Sequence, residues 1–270
     1  MTPPKIALVM DGSYAATPMP ATPMPTAAPP SSHVRHALLP LSLVICFIMV
    51  YVLKLPPYWI LAVSGPLVAL YLAAPMWGVR SREAFDRDAA RLLMRGEGAR
   101  LRSRYQQAWG MRLFAPPAEV AERRGRAESQ RGAHRRAFAA YQSARQAYPE
   151  DGAPVTVELG LGHASYATGD NREASRAYRA VLRNGTAYPL VPLQLAHALA
   201  RLGDDLDEAE AMAERALQDA GDEPDAKTRL VRALVHAHRG ERKAAKRLLR
   251  RTKNAEGVES LREEVETALA

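Results

Sequence analysis

The chain has 270 residues, 37 Lys and Arg against 29 Asp and Glu, a net charge of +8 and one cysteine. That length holds one or two domains. The lone Cys46 excludes an intrachain disulfide and a cysteine-built zinc site.

Composition changes along the chain. Residues 1–34 are rich in Pro, Ala and Thr, and Thr17-Pro18-Met19-Pro20 repeats as Thr22-Pro23-Met24-Pro25. Such a segment buries too little surface to order itself, so a disordered tail is expected. It also lacks the charged start, short apolar run and cleavage site of a secretory signal.

Residues 35–79 read as a transmembrane hairpin. Two uncharged runs, 37–53 and 58–77, are joined by Lys54-Leu55-Pro56-Pro57. Each approaches the roughly 20 apolar residues that a spanning helix needs, and the prolines stop one helix and start the next. Tyr51, Tyr58, Trp59 and Trp77 suit the interfaces, where aromatics concentrate. Ser64-Gly65-Pro66 predicts a kink, and Ala62, Gly65, Ala69 and Ala73 offer a small-residue face for close helix contact. The turn carries only Lys54, whereas Arg80, Arg82, Arg87, Arg91 and Arg95 follow the second run. That bias predicts a multi-pass bacterial inner-membrane protein with both termini in the cytoplasm.

Residues 80–117 form a basic linker with two expected helices, 81–95 and 99–114, separated at Gly96 and Gly98. Arg80, Arg82, Arg87 and Arg91 suit anionic lipid headgroups. The same charges also suit a solvated face with acids at i,i+4.

Beyond Arg80 the chain is Arg- and Ala-rich. Gly169-Asp170-Asn171-Arg172-Glu173-Ala174 is echoed from Gly203 and again from Gly240, at spacings of 34 and 37 residues (203 − 169 and 240 − 203). A period in this range marks a solenoid of helix pairs. Leu161, Gly162, Tyr166, Gly169, Asp170, Ala174, Tyr178 and Leu182 in residues 155–188 resemble the tetratricopeptide repeat (TPR) family. About four repeats are expected over 118–256: 118–151, 155–188, 189–224 and 225–256. The first matches chiefly in its second half, through Gly132, Ala137, Tyr141, Ala144 and Pro149. Residues 257–270 form the capping helix that such stacks require. The fold class is therefore all-α: a transmembrane hairpin followed by a TPR-type α-solenoid.

The resemblance implies a concave groove, lined by the first helix of each pair, in which peptides lie. Helical periodicity places Arg126, Gln130, His163, Tyr166, Leu193, His197, Arg201, Lys227 and His238 on that face. His163 and His197 are equivalent positions and potential neighbours, although no carboxylate or thiol completes a metal site. No asparagine falls on the face, so the Lys/Asn carboxylate clamp of some family members is absent. The acidic strip Asp207, Glu208, Glu210, Glu214, Asp219 is expected to pair with the basic strip Arg242, Lys243, Lys246, Arg247, Arg250, Arg251, Lys253. The open alternative for the basic strip is an anionic partner.

No catalytic constellation, cofactor motif or metal motif is present. Gly160-Leu161-Gly162-His163-Ala164-Ser165 has no preceding strand, so it is no phosphate loop. The basic run lacks the aromatic platform of a single-strand nucleic-acid binder, and nothing points to a small-molecule substrate. The expectation is a non-enzymatic, membrane-anchored scaffold that recruits a protein or peptide partner and touches membrane lipids. The alternative is a structural or assembly subunit of an inner-membrane complex whose hairpin makes the main contacts.

Overall fold

The computed structural model describes residues 40–41, 43–52, 54, 56–148, 152–185, 188, 190–220 and 225–270, and among them helices alternate with turns and irregular segments and no strand occurs. The expected tail, 1–34, lies outside them. The chain divides into two compact units at Gly152 and Ala153.

The first unit contains α1 (Pro57–Met94), α2 (Leu101–Gln107), α3 (Trp109–Phe114), α4 (Pro117–Ser129) and α5 (His134–Ala147). It overturns the membrane hairpin: among the described residues, no helix is long and apolar enough to cross a membrane. Ile48–Val52 is a five-residue π-helical turn, not part of a described span. The second apolar run is the beginning of α1, a 38-residue helix that passes through Pro66 and Pro75 into a charged half. Its last apolar turns are a packing surface. Gly78 lies where a Cβ would come within 2.9 Å of the Phe114 backbone, Trp77 meets Trp109 edge-on at 4.4 Å, and Ser81 Oγ accepts the Met111 N–H at 3.0 Å. The small-residue face at Ala62, Gly65, Ala69 and Ala73 is exposed, and no neighbouring atom lies within 4 Å of where a Gly65 Cβ would be. The multi-pass inner-membrane assignment falls with the hairpin, as does the assembly-subunit reading built on it.

The charged half of α1 is held by the helices that follow. Phe85 and Ala89 join Leu101, Met111 and Ala127 in one apolar cluster. Around it, Arg123 takes Asp86 in a forked pair at 3.0 and 2.6 Å, Arg102 meets Glu128 at 3.0 Å and Arg104 meets Asp88.

The second unit contains α6 (Val155–Thr168), α7 (Asn171–Arg183), α8 (Val191–Leu202), α9 (Leu206–Ala220), α10 (Ala226–His238), α11 (Arg242–Arg251) and α12 (Glu259–Leu269). Consecutive helices pair as α6/α7, α8/α9 and α10/α11, with α4/α5 as the equivalent pair of the first unit. Gly132, Gly169, Gly203 and Gly240, one in the turn of each pair, have φ of 71°, 83°, 66° and 79°, a left-handed conformation that costs glycine little. The Asp170 side chain then accepts the Glu173 N–H at 3.1 Å and starts α7, an N-cap of about 1 kcal/mol. The longer third turn is accommodated by Asp205 at φ 49°.

The crossing of each pair has a simple volume rule. A Cβ on Gly125 would meet the Tyr141 ring at 2.9 Å, and one on Gly162 the Tyr178 ring at 2.6 Å. Both pairs are 16 residues apart (141 − 125 and 178 − 162). The same spacing gives Ala196 with Met212 and Ala233 with Leu249, each couple within one apolar cluster. Glycine faces the flat aromatic, and alanine faces the slimmer aliphatic.

Candidate functional site: the inner face of the second unit

The inner face is formed by the first helices of the pairs: α8 packs on α10, and α6 reaches α8 through Tyr166 and His197. On that face stand Tyr166 of α6 and His197 and Arg201 of α8. His197 is 4 % exposed. Its Nδ1 meets the Tyr166 hydroxyl, and its Nε2 meets Glu264 at 2.9 Å. The Arg201 guanidinium lies 5.5 Å from the Tyr166 ring centroid and forks onto Glu264, with Nε at 3.1 Å. Burial lowers the His197 pKa, and Glu264 only partly offsets that. A neutral ring then has one consistent proton placement: Nε2–H donates to Glu264, and Nδ1 accepts from Tyr166. Burial opposes ionisation of Glu264, but hydrogen bonds from His197 and Arg201 and the charge of Arg201 prevail and hold its pKa down at about 2.

Glu264 belongs to α12, which packs chiefly on α10. A cap in a simple stack touches only its neighbours. Here α12 also reaches α8, one pair further back. Val265 lies in the core with Leu195, Leu230 and Leu234, and Leu261, Ala268 and Leu269 pack against it. Gly257, at φ 73°, precedes α12, and Arg262 donates to the Thr252 carbonyl. The helix read from sequence only as a cap thus supplies the carboxylate at the centre of the inner face.

The other predicted groove residues divide. Arg126 and Gln130 belong to the first unit, where Arg126 lies 3.8 Å from Glu122 and Gln130 lies beside Gly98. His163 turns its ring to Tyr178, 5.8 Å between centroids, and burial, opposed by a Gln194 hydrogen bond, lowers its pKa to about 4. His163 and His197 have different partners, and no group of three metal-ligating side chains occurs among the described residues. Leu193 is buried in the α8/α9 cluster. Lys227 is half-buried and His238 exposed. His236, which the sequence reading passed over, is buried and meets Glu241 at 2.7 Å. Of the predicted lipid-facing arginines, Arg82 is engaged by Glu119 at 2.7 Å, Arg91 lies 3.9 Å from Asp88, and Arg80 and Arg87 are exposed.

The pairing between acidic and basic strips is also corrected. The α9 acids are met by Arg179 of α7, which takes Glu208 and also Asp205 of the preceding turn, by Arg239, which takes Asp207 and Glu210, and by Arg232, 3.5 Å from Glu214. The arginines come from the preceding pair and from α10 and its following turn. The α11 strip is exposed and pairs with none of those acids.

These stacked helix pairs, with small residues at the crossings and left-handed glycines in the turns, define a TPR-type helical fold. Among solved structures, the chain is similar to PilW, described as a widely conserved type IV pilus biogenesis factor, with a TM-score of 0.51 and 15 % identity over 88 % of this chain and 99 % of that one. It is also similar to PilF of Pseudomonas aeruginosa, with a TM-score of 0.46 and 16 % identity over 87 % of this chain and 97 % of that one. No protein-family model matches the sequence, and no curated protein does. At 15 % identity the likeness to PilW is one of fold.

Proposed function

We propose that the chain is a non-enzymatic, protein-binding scaffold whose inner face accepts an acidic amphipathic helix, and that α12 occupies that place in the structure. The supporting observation is Glu264: one carboxylate engages both His197 and Arg201 on the inner face. A partner helix with an acid flanked by aliphatic residues would repeat those contacts. The TPR-type fold is consistent with this use.

A labelled peptide of residues 257–270 tests the reading by fluorescence anisotropy. The wild-type chain should bind it weakly because its own helix competes. Glu264→Lys sets a cation against Arg201, releases α12 and should raise peptide affinity about tenfold or more, since charge-assisted hydrogen bonds are worth about 1.5–3 kcal/mol. Adding Arg201→Ala should abolish the gain. A Glu264→Lys chain that folds but binds no peptide would defeat the proposal.

A further inference from the structure

A second candidate site lies in the first unit and is independent of the inner face. A cavity of about 520 Å³ opens between α2, α3, α4 and α5. Ala115, Val120 and Ala140 give it an apolar lining, while Arg112, Arg124, Arg135 and Arg136 supply four positive charges. No Asp or Glu lines it. Four other arginines of the unit meet acid: Arg82 with Glu119, Arg102 with Glu128, Arg104 with Asp88 and Arg123 with Asp86. Arg112 instead donates to the Gln106 carbonyl at 3.3 Å and lies 5.7 Å from the Tyr105 ring centroid. Neither contact neutralises it.

The α5 start adds a second observation. Its first turn carries no acid, and its N-cap, Ala133, offers no side-chain cap. Acids are favoured there because the helix N-terminus is the positive pole. Arg135 and Arg136 occupy that turn, so the dipole adds to the cavity's charge. Four exposed guanidiniums at one opening, with no carboxylate among the lining residues, make the local potential positive. An anion would complement both charge and dipole.

We propose that this cavity binds an amphipathic phosphate. The phosphate or diphosphate group is held by Arg112, Arg124, Arg135 and Arg136, and an adjoining apolar portion rests on Ala115, Val120 and Ala140. The charge count favours phosphate over carboxylate. A phosphate monoester carries about −1.5 to −2 and three acceptor oxygens, and guanidinium forks bind it in bidentate fashion. The cavity falls within the roughly 300–1,000 Å³ of small-ligand sites. The phosphate belongs either to a free metabolite or to a lipid headgroup, two sources of the same chemistry.

The full chain, Arg124→Gln and Arg135→Gln/Arg136→Gln are compared. The substituted residues are exposed, and thermal unfolding checks that each variant keeps its fold. Binding is measured calorimetrically with monomeric dihexanoyl phosphatidic acid, and by sedimentation with phosphatidylcholine vesicles with and without phosphatidic acid. The wild type should bind, and each variant should weaken binding about tenfold or more. Binding to the monomer supports a free ligand; binding only to phosphatidic-acid vesicles supports a headgroup. The proposal is overturned if neither probe binds or if both variants bind like wild type. It is also overturned if Lys243→Gln/Lys246→Gln in α11 weakens binding equally, or if poly-glutamate is preferred over both phosphate probes.

Discussion

Arg123 shows how one residue ties the first unit together. Its side chain is 7 % exposed, and the forked bond to Asp86 spans from α4 to α1. Burial opposes its charge, but the Asp86 hydrogen bonds and the surrounding acids raise the guanidinium pKa. Asp86→Ala would leave this cation buried without its main partner. The loss should be about 2 kcal/mol, below the full penalty for breaking a buried pair because Asp86 is itself partly open to water. Urea unfolding of both proteins reads it directly, and an unchanged midpoint would refute the assignment. Nothing in the sequence joins residues 86 and 123, since the pair depends on how α4 lies against α1. The same holds for Arg82 with Glu119.

At the scale of elements, the crossing rule makes a sharper prediction. Gly162→Ala would gain about 1 kcal/mol of helix propensity but drive a Cβ to 2.6 Å from the Tyr178 ring. Overpacking of that kind costs about 1–3 kcal/mol, so the net effect should be destabilising. Gly162→Ala/Tyr178→Leu would copy the Ala233 and Leu249 crossing of the fourth pair and should recover most of the loss. Thermal unfolding of the single and double variants decides it: a double variant no more stable than the single one would show that the crossings are not interchangeable. The turns were readable in sequence because glycine recurs there at fixed intervals, whereas the 16-residue crossing interval emerges from the structure. The first pair looked half-degenerate only because α4 is highly charged; the interval from Gly125 to Tyr141 identifies it. Runs of uncharged residues misled in the opposite way. Apolarity marked 58–77 as a membrane span, whereas Trp77 and Gly78 meet α3, and composition alone does not say what covers an apolar helix.

At the scale of the whole molecule, the repeat period draws attention to Tyr166, His197 and Arg201 but not to what meets them. The period ends before α12, so it is silent about where that helix returns. Protonation offers a way to observe the return. Glu264 is lowered from 4.5 to about 2, and a carboxyl lowered by folding stabilises fully above its unfolded pKa and less as pH falls toward its folded one. His163 is lowered from 6.5 to about 4, so its neutral form contributes stability above about 6.5 that is lost on acidification toward about 4. Both signs agree. The second unit should weaken in two steps as pH falls, first between about 6.5 and 4 and then between about 4.5 and 2. The lower step should concentrate in α12, seen as falling amide-exchange protection across Glu259–Leu269. Glu264→Gln should remove that step and leave protection of α12 lower but nearly flat over the same range, whereas His163→Gln should remove the His163 contribution to the upper step alone. If α12 protection in the wild type were unchanged through the lower range, Glu264 would not be what holds the helix to the inner face, and the peptide-mimic reading of α12 would fail with it.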